Sequence, residues 1–277
     1  VTNKAVFIVG AGKAGVGLAL TLTDVPATLI TLSTNKSKIG PLVCHPLERL
    51  KDRTSVARVV ILAVPDKALG ETLSRLINEG YINSSDVVGH LSGAMPSSIF
   101  ATHDLAGYFS AHPLHAFAPV SQALPMPAGT AVMIEGTASK DAVAIFLAAR
   151  AKTAIIDPAN KPLCHAAAVA ASNLPAALLL TSAKALSDAG VPQAELVAVK
   201  LANSLLANWE RSPNINSLTG PMARGDLATI KSNLAALEGN PSLQTAYKVL
   251  TKLLAAELEQ EGMLDAKTAG LLEDILS

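Results

Sequence analysis

The sequence predicts an α/β fold, a doubly wound and mostly parallel sheet, followed by an all-helical C-terminal domain. Three observations predict it. Over residues 1–157, short runs rich in Val, Ile and Leu alternate with amphipathic stretches; that alternation builds parallel sheets covered on both faces. A glycine-rich turn joins the first such run to the first amphipathic stretch. Beyond Asp157-Pro158-Ala159-Asn160-Lys161-Pro162, where two prolines stand beside Asp and Asn, every periodic segment is helical.

The strand candidates are Ala5–Val9, Thr28–Leu32, Val59–Val64, Val87–His90, Tyr108–Ser110 and Ala131–Ile134. Each is apolar at successive positions, as a strand buried on both faces requires. Helices are expected at Gly15–Leu22, Lys67–Asn78 and Asp141–Ala151 between them. The 157–162 segment reads as a hinge, giving domains 1–157 and 158–277. The second holds a long Ala- and Leu-rich helix, Cys164–Ala189, stopped at Gly190. Helices Gln193–Asn208, Leu227–Leu237, Leu243–Gln260 and Ala266–Leu276 follow, broken by Pro213, Gly220-Pro221 and Gly239-Asn240-Pro241.

Bulk composition narrows the function classes. Half of the 277 residues are apolar and 16% are charged, a globular balance. Lys plus Arg equals Asp plus Glu at 22 each, and aromatics make up 3%. Neither a net field nor a set of stacking rings is offered to nucleic acid. Cys44 and Cys164 lie far apart with no CxxC spacing, which suits a reducing cytoplasm. Val1–Lys4 lead straight into a strand, so no secretory segment is expected here. The apolar run Ala166–Leu180 is interrupted by Ser172, Asn173 and Pro175 and is shorter than the roughly 20 residues of a bilayer span. It is expected to be a buried helix of a cytoplasmic protein with no membrane partner.

Gly10-Ala11-Gly12-Lys13-Ala14-Gly15 follows a strand and opens a helix. That context turns a glycine pattern into a dinucleotide-binding claim. Gly10 makes the tight turn, Gly12 admits the pyrophosphate and Gly15 lets helix and strand approach, while Lys13 and Ala14 begin the helix whose free N–H groups face the phosphates. After Thr28–Leu32 no carboxylate is present to hold a ribose 2′-hydroxyl; Ser33, Thr34, Asn35 and Lys36 stand there instead. Hydroxyl, amide and ammonium groups donate to a 2′-phosphate, so NADP(H) is preferred over NAD(H). Ligands of open α/β sheets sit beyond the carboxyl ends of the strands. Val64 and Pro65 are therefore cofactor-lining candidates, with His90, Ser92 and Gly93 nearer the nicotinamide. His112, in the stretch Ser110–Phe117, is expected in a wall of the substrate cleft between the domains. A metal site is not expected: Pro113 prevents a regular helix between His112 and His115, and no Cys or acidic cluster accompanies them.

GAGKAG at 10–15, AVPD at 63–66, HLSG at 90–93, HPLHAF at 112–117, IEG at 134–136, CHAAAVAASN at 164–173 and TGPMARGD at 219–226 together resemble one family. It comprises Rossmann-like proteins carrying the C-terminal domain of unknown function DUF2520. The resemblance implies an NADP-binding Rossmann domain and a helical domain that often makes a dimer, a layout similar to ketopantoate reductase, pyrroline-5-carboxylate reductase and the β-hydroxyacid dehydrogenases. It further implies reduction of a small 2-oxo acid of the ketopantoate (2-dehydropantoate) type. The alternatives are a pyrroline-5-carboxylate-like imine reductase and a non-catalytic NADP-binding protein. Cys164 departs from the family pattern, which more often has an aromatic residue there.

On the first long helix His165, Ser172 and Asn173 are spaced about two turns apart and share a face. The resemblance points to His165 as proton donor, a role for which imidazole titrates in the right range. Asn173 is a candidate for the carbonyl oxygen or the cofactor carboxamide, with Ser172 beside it toward substrate. Packing in a core is the competing reading for His165 and Asn173. Arg224, flanked by Gly220 and Gly225, is a candidate clamp for a substrate carboxylate. Asp226 is a second substrate candidate, and equally the N-cap of the helix that follows.

Overall fold

The computed structural model describes residues 4–32, 38–52 and 57–277. The chain divides into two compact units, Val1–Val169 and Ala170–Ser277.

The first unit is the doubly wound sheet. Its strands are β1 (Ala5–Val9), β2 (Ala27–Ile30), β3 (Lys38–Ile39), β4 (Leu42–His45), β5 (Arg58–Leu62), β6 (Val87–His90), β7 (Gly107–Pro113), β8 (Ala131–Glu135) and β9 (Lys152–Ile155). Their order across the sheet is β3-β4-β2-β1-β5-β6-β7-β8-β9. All pairings are parallel except β3 with β4 and β7 with β8. Six of the nine follow the expected runs. The short β3 and β4 and the exposed edge strand β9 lack a sustained Val/Ile pattern, and sequence periodicity did not show them.

Residue alternation sorts the side chains into two cores. Val6 and Ile8 point to the layer shared with α1 (Lys13–Thr21) and α3 (Ser139–Ala148), together with Val59, Ile61, Phe109 and Phe146. Phe7 and Val9 point to the layer of α2 (Leu69–Asn78), with Val60, Leu62, Leu73 and Phe100. Each such side chain taken fully out of water is worth about 1.5–3 kcal/mol.

Register then sets where a ligand can meet the sheet. Val9 pairs with both Ile30 and Leu62, Leu62 with His90, and His90 with Ser110. One row thus runs across five strands, and Gly10, Ala63 and Leu91 step off the same edge. Antiparallel β8 brings Glu135 opposite Ser110.

Near the opposite edge Arg58 and Asp86 are 3% and 1% exposed. Arg58 Nε donates to Asp86 Oδ1 at 2.8 Å, and Nη2 donates to the Tyr81 carbonyl at 3.0 Å. Removing one member of a buried pair strands the other. Asp86→Ala is therefore expected to cost at least about 3 kcal/mol in urea unfolding, while Arg58→Met paired with Asp86→Leu costs less than the single change.

Helix α4 (Lys161–Ser172) begins where a hinge was expected. The division between units falls inside it, after Val169, because Lys161 is only 1% exposed and fastens the helix start to the sheet. The single helix expected at Cys164–Ala189 is two, α4 and α5 (Pro175–Asp188), with Asn173 and Leu174 between. Pro175 lacks an N–H and disfavours helical geometry just before it. Together Pro158–Asp188 form a stretch long and apolar enough, by length and composition, to cross a membrane, and its most apolar part has no buried residue. The expected buried helix is corrected accordingly: Leu174 is 60% and Leu180 71% exposed.

The second unit continues with α6 (Ala194–Arg211), α7 (Leu227–Ala236), α8 (Pro241–Gln260) and α9 (Ala266–Leu276). Met222, Ile230, Leu234, Leu258, Leu272 and Leu276 form its core.

Candidate active site

The glycine turn has the shape the sequence called for. Gly10 sits at φ +118°, and a Cβ there would fall 2.5 Å from the Ala63 carbonyl oxygen. A Cβ on Gly15 would fall 2.0 Å from the Gly10 oxygen. Both positions are closed to any side chain. Gly12 is the opposite case, with nothing within 4 Å of a Cβ placed on it. It is the N-cap of α1, offers no side-chain cap, and no acidic residue lies in the first turn, which begins with Lys13 and Ala14. Unpaired N–H groups at a helix start, open space in front of them and no competing carboxylate fit a pyrophosphate. Val64 lies against the same turn, its Cγ1 3.3 Å from the Gly10 Cβ position, and Pro65 follows it. Ser33, Thr34, Asn35 and Lys36 lie outside the described residues.

Farther along the edge, two histidines close on Gly93. A Cβ on Gly93 would fall 2.3 Å from His165 Nδ1 and 2.7 Å from His112 Nε2. The two rings stand edge to face, 5.5 Å between centroids. His112 Nδ1 donates to the Leu91 carbonyl at 2.9 Å, which leaves Nε2 as an acceptor. Burial holds the His112 pKa below its ordinary value, reinforced by His165 and Lys161 and opposed by the Leu91 bond. His165 Nδ1 is buried without a hydrogen-bond partner among the described residues. A buried polar atom left unpaired against Gly93 is a feature that apolar packing alone does not explain.

Behind this pair is a polar network that sequence reasoning missed. Lys161 Nζ donates to Ser110 Oγ and lies 3.7 Å from Glu135 Oε1. Glu135 in turn accepts from Ser97 N at 2.7 Å and from Ser97 Oγ at 2.6 Å. All four residues are at most 2% exposed. Burial pulls the Lys161 pKa down, and Glu135 opposes the shift. Glu135 could have been noticed as an acid ending an apolar strand. Lys161 could not, since it stood between turn-forming residues.

His90 is fully buried, accepts from Ser92 N at 3.2 Å, and has its pKa lowered to about 4, first by burial and then by Lys161. The unfolded chain binds a proton near the ordinary imidazole value of 6.5, before the folded chain does. Stability is therefore complete above that value and is lost as pH falls from it toward about 4. Urea unfolding across this range should show a loss on the order of 3 kcal/mol that is absent in His90→Gln.

The remaining sequence candidates belong to the second unit. Asn173 follows the last residue of α4, and its Oδ1 accepts from Ser172 Oγ at 2.9 Å. Arg224 is exposed at the end of a short 3-10 turn, Met222–Arg224. Asp226 is the N-cap of α7, accepting from Thr229 N at 3.0 Å and from Thr229 Oγ1 at 2.7 Å. These bonds hold its carboxyl pKa below the usual range.

Two family descriptions match the chain in sequence: a Rossmann-like domain over residues 2–113 and the domain of unknown function DUF2520 over residues 130–254. The chain carries a Rossmann-like domain followed by a DUF2520 domain. His112 and Gly93 of the site fall in the first match; Glu135, Lys161 and His165 fall in the second. No curated protein matches the sequence. Among solved structures, protein TM1727 from Thermotoga maritima is 24% identical, with a TM-score of 0.72 over 93% of this chain and 99% of its own. BF3122 from Bacteroides fragilis, provisionally named an NADP oxidoreductase, is 19% identical, with a TM-score of 0.71 over 91% of this chain and 97% of its own. Plasmodium falciparum pyrroline carboxylate reductase, solved with NADP bound, is 12% identical, with a TM-score of 0.57 over 91% and 100%. At these identities the chain shares their fold.

Proposed function

We propose that this chain is an NADP(H)-dependent oxidoreductase that reduces a small 2-oxo acid of the ketopantoate type. The observation that carries the reading is Gly93, wedged between His112 and His165 on the sheet edge that also bears the open turn at Gly12. The names of BF3122 and of the Plasmodium enzyme support the cofactor class, and the acid-free stretch Ser33–Lys38 supports NADP(H) over NAD(H). The 2-oxo acid comes from the family resemblance.

The cofactor, when bound, supplies a hydride to the substrate carbonyl carbon. The N–H groups of the α1 start hold its pyrophosphate, and Val64, Pro65, Ser92 and Gly93 line its path toward the reacting end. His165 delivers the matching proton to the carbonyl oxygen through Nε2, since Nδ1 is turned into the packing against Gly93. Carbonyl plus hydride plus proton gives the 2-hydroxy acid and the oxidised cofactor. Asn173 and Arg224 keep their sequence assignments within this proposal, carbonyl or carboxamide contact and carboxylate clamp.

The exposed apolar residues of the helical unit, among them Leu180, Leu201, Leu206 and Leu253 at 57% to 71% exposure, suit a face covered by a second copy. Sedimentation showing a monomer at micromolar concentration would remove that part.

The catalytic reading is tested by following NADPH oxidation with ketopantoate, simpler 2-oxo acids and pyrroline-5-carboxylate. Turnover with ketopantoate is expected. Turnover with the cyclic imine alone would replace the substrate class, and no oxidation with any of them would leave a binding protein.

A further inference from the structure

We infer that Lys161 is the positioning residue of this site, locking the helix that carries His165 to the turn that carries Gly93 by way of Ser110. The inference rests on the reading of His165 and Gly93 given above. Lys161 is 1% exposed and touches no substrate space, so its work is done through neighbours. A buried ammonium persists only when paired. Here it is held by Ser110 Oγ and by Glu135, whose carboxylate is itself fixed by two bonds from Ser97.

Two connections lead outward from that anchor. Lys161 opens α4, and His165 lies one turn later at the i+4 position on the same face. Fixing the ammonium therefore fixes the rotation of the helix at the imidazole. Ser110, having accepted from Lys161, has one proton to give, and it donates to the Ser92 carbonyl at 3.3 Å. That carbonyl belongs to the peptide joining Ser92 to Gly93. On its other side Ser92 is tied by its N–H to buried His90. Both elements of the His165–Gly93 contact thus lead back to one ammonium. With a Gly93 Cβ position only 2.3 Å from His165 Nδ1, little displacement of either is tolerated.

A pair kept only for stability could be replaced by apolar residues at little cost. A pair kept for geometry could not, and the test exploits that difference. Two variants are compared with the wild type, all free of cofactor: Ser110→Ala, and the double change Lys161→Met with Glu135→Leu, which leaves no unpaired carboxylate. Urea unfolding establishes that each is folded, and NMR of isotopically labelled protein reads the Gly93 amide and the His165 ring. The inference predicts that both signals move or broaden while the Gly12 and Gly15 amides stay in place. In turnover with NADPH supplied, kcat should fall about 10- to 100-fold. Gly93 and His165 signals superimposable on the wild type in a folded variant would overturn it. Should the double variant fail to fold, Ser110→Ala decides alone, because it creates no buried charge. If the wild type oxidises no NADPH, the oxidoreductase reading fails while the spectra still decide the role of Lys161.

Discussion

Gly12→Val is expected to weaken NADPH binding about 100-fold, roughly 2.8 kcal/mol, at a stability cost of no more than about 1 kcal/mol. The two halves of that result have separate causes. Gly12 has φ −82°, a conformation open to any residue, and its Cβ would meet nothing within 4 Å. The folded chain therefore loses only the modest preference for glycine over valine at an N-cap. The space the valine fills is the space in front of the α1 N–H groups, where the pyrophosphate must approach. Gly10→Val is the contrasting control. Its Cβ would collide with the Ala63 backbone at 2.5 Å and 2.8 Å, at a positive φ, so it should lose stability as well as binding. Equal NADPH affinity in wild type and Gly12→Val, measured by titration, would place the cofactor elsewhere.

His165→Gln should lower kcat by about 10²- to 10⁴-fold, the usual worth of a positioned acid, and leave NADPH affinity unchanged. Glutamine matches the imidazole in reach and hydrogen bonding but cannot deliver a proton near neutral pH. The substitution therefore separates proton delivery from packing against Gly93. His112 is the natural competitor for the role. Its Nδ1 is committed to the Leu91 carbonyl and burial disfavours its charged form, so His112→Gln should cost less. Steady-state kinetics on both variants ranks them, and a larger loss for His112→Gln would exchange the assignments.

Much of this was legible in the sequence, for identifiable reasons. The turn at Gly10–Gly15 and the strands β1, β5 and β6 announce themselves because buried parallel strands leave unbroken apolar runs and tight turns leave glycines. His112 stood out in the polar punctuation at a strand end, and His165 through the family resemblance. Lys161 and Glu135 did not, because a buried ion pair is a property of two segments that meet only after folding. Nothing local in Asn160-Lys161-Pro162 separates a buried lysine from a hinge. The α4–α5 stretch was misjudged for a related reason: composition counts apolar residues but does not say what covers them. Asn173 was grouped with His165 by helical spacing, but α4 ends at Ser172, one residue before it; spacing alone does not show where Pro175 interrupts the helix.

The central claim is that the edge defined by Gly10, Gly12 and Gly93 holds NADP(H). Isothermal titration of the wild-type protein with NADPH and with NADH tests it most directly. One site per chain, with NADPH bound more tightly than NADH, is the predicted result; no binding of either dinucleotide would contradict the account.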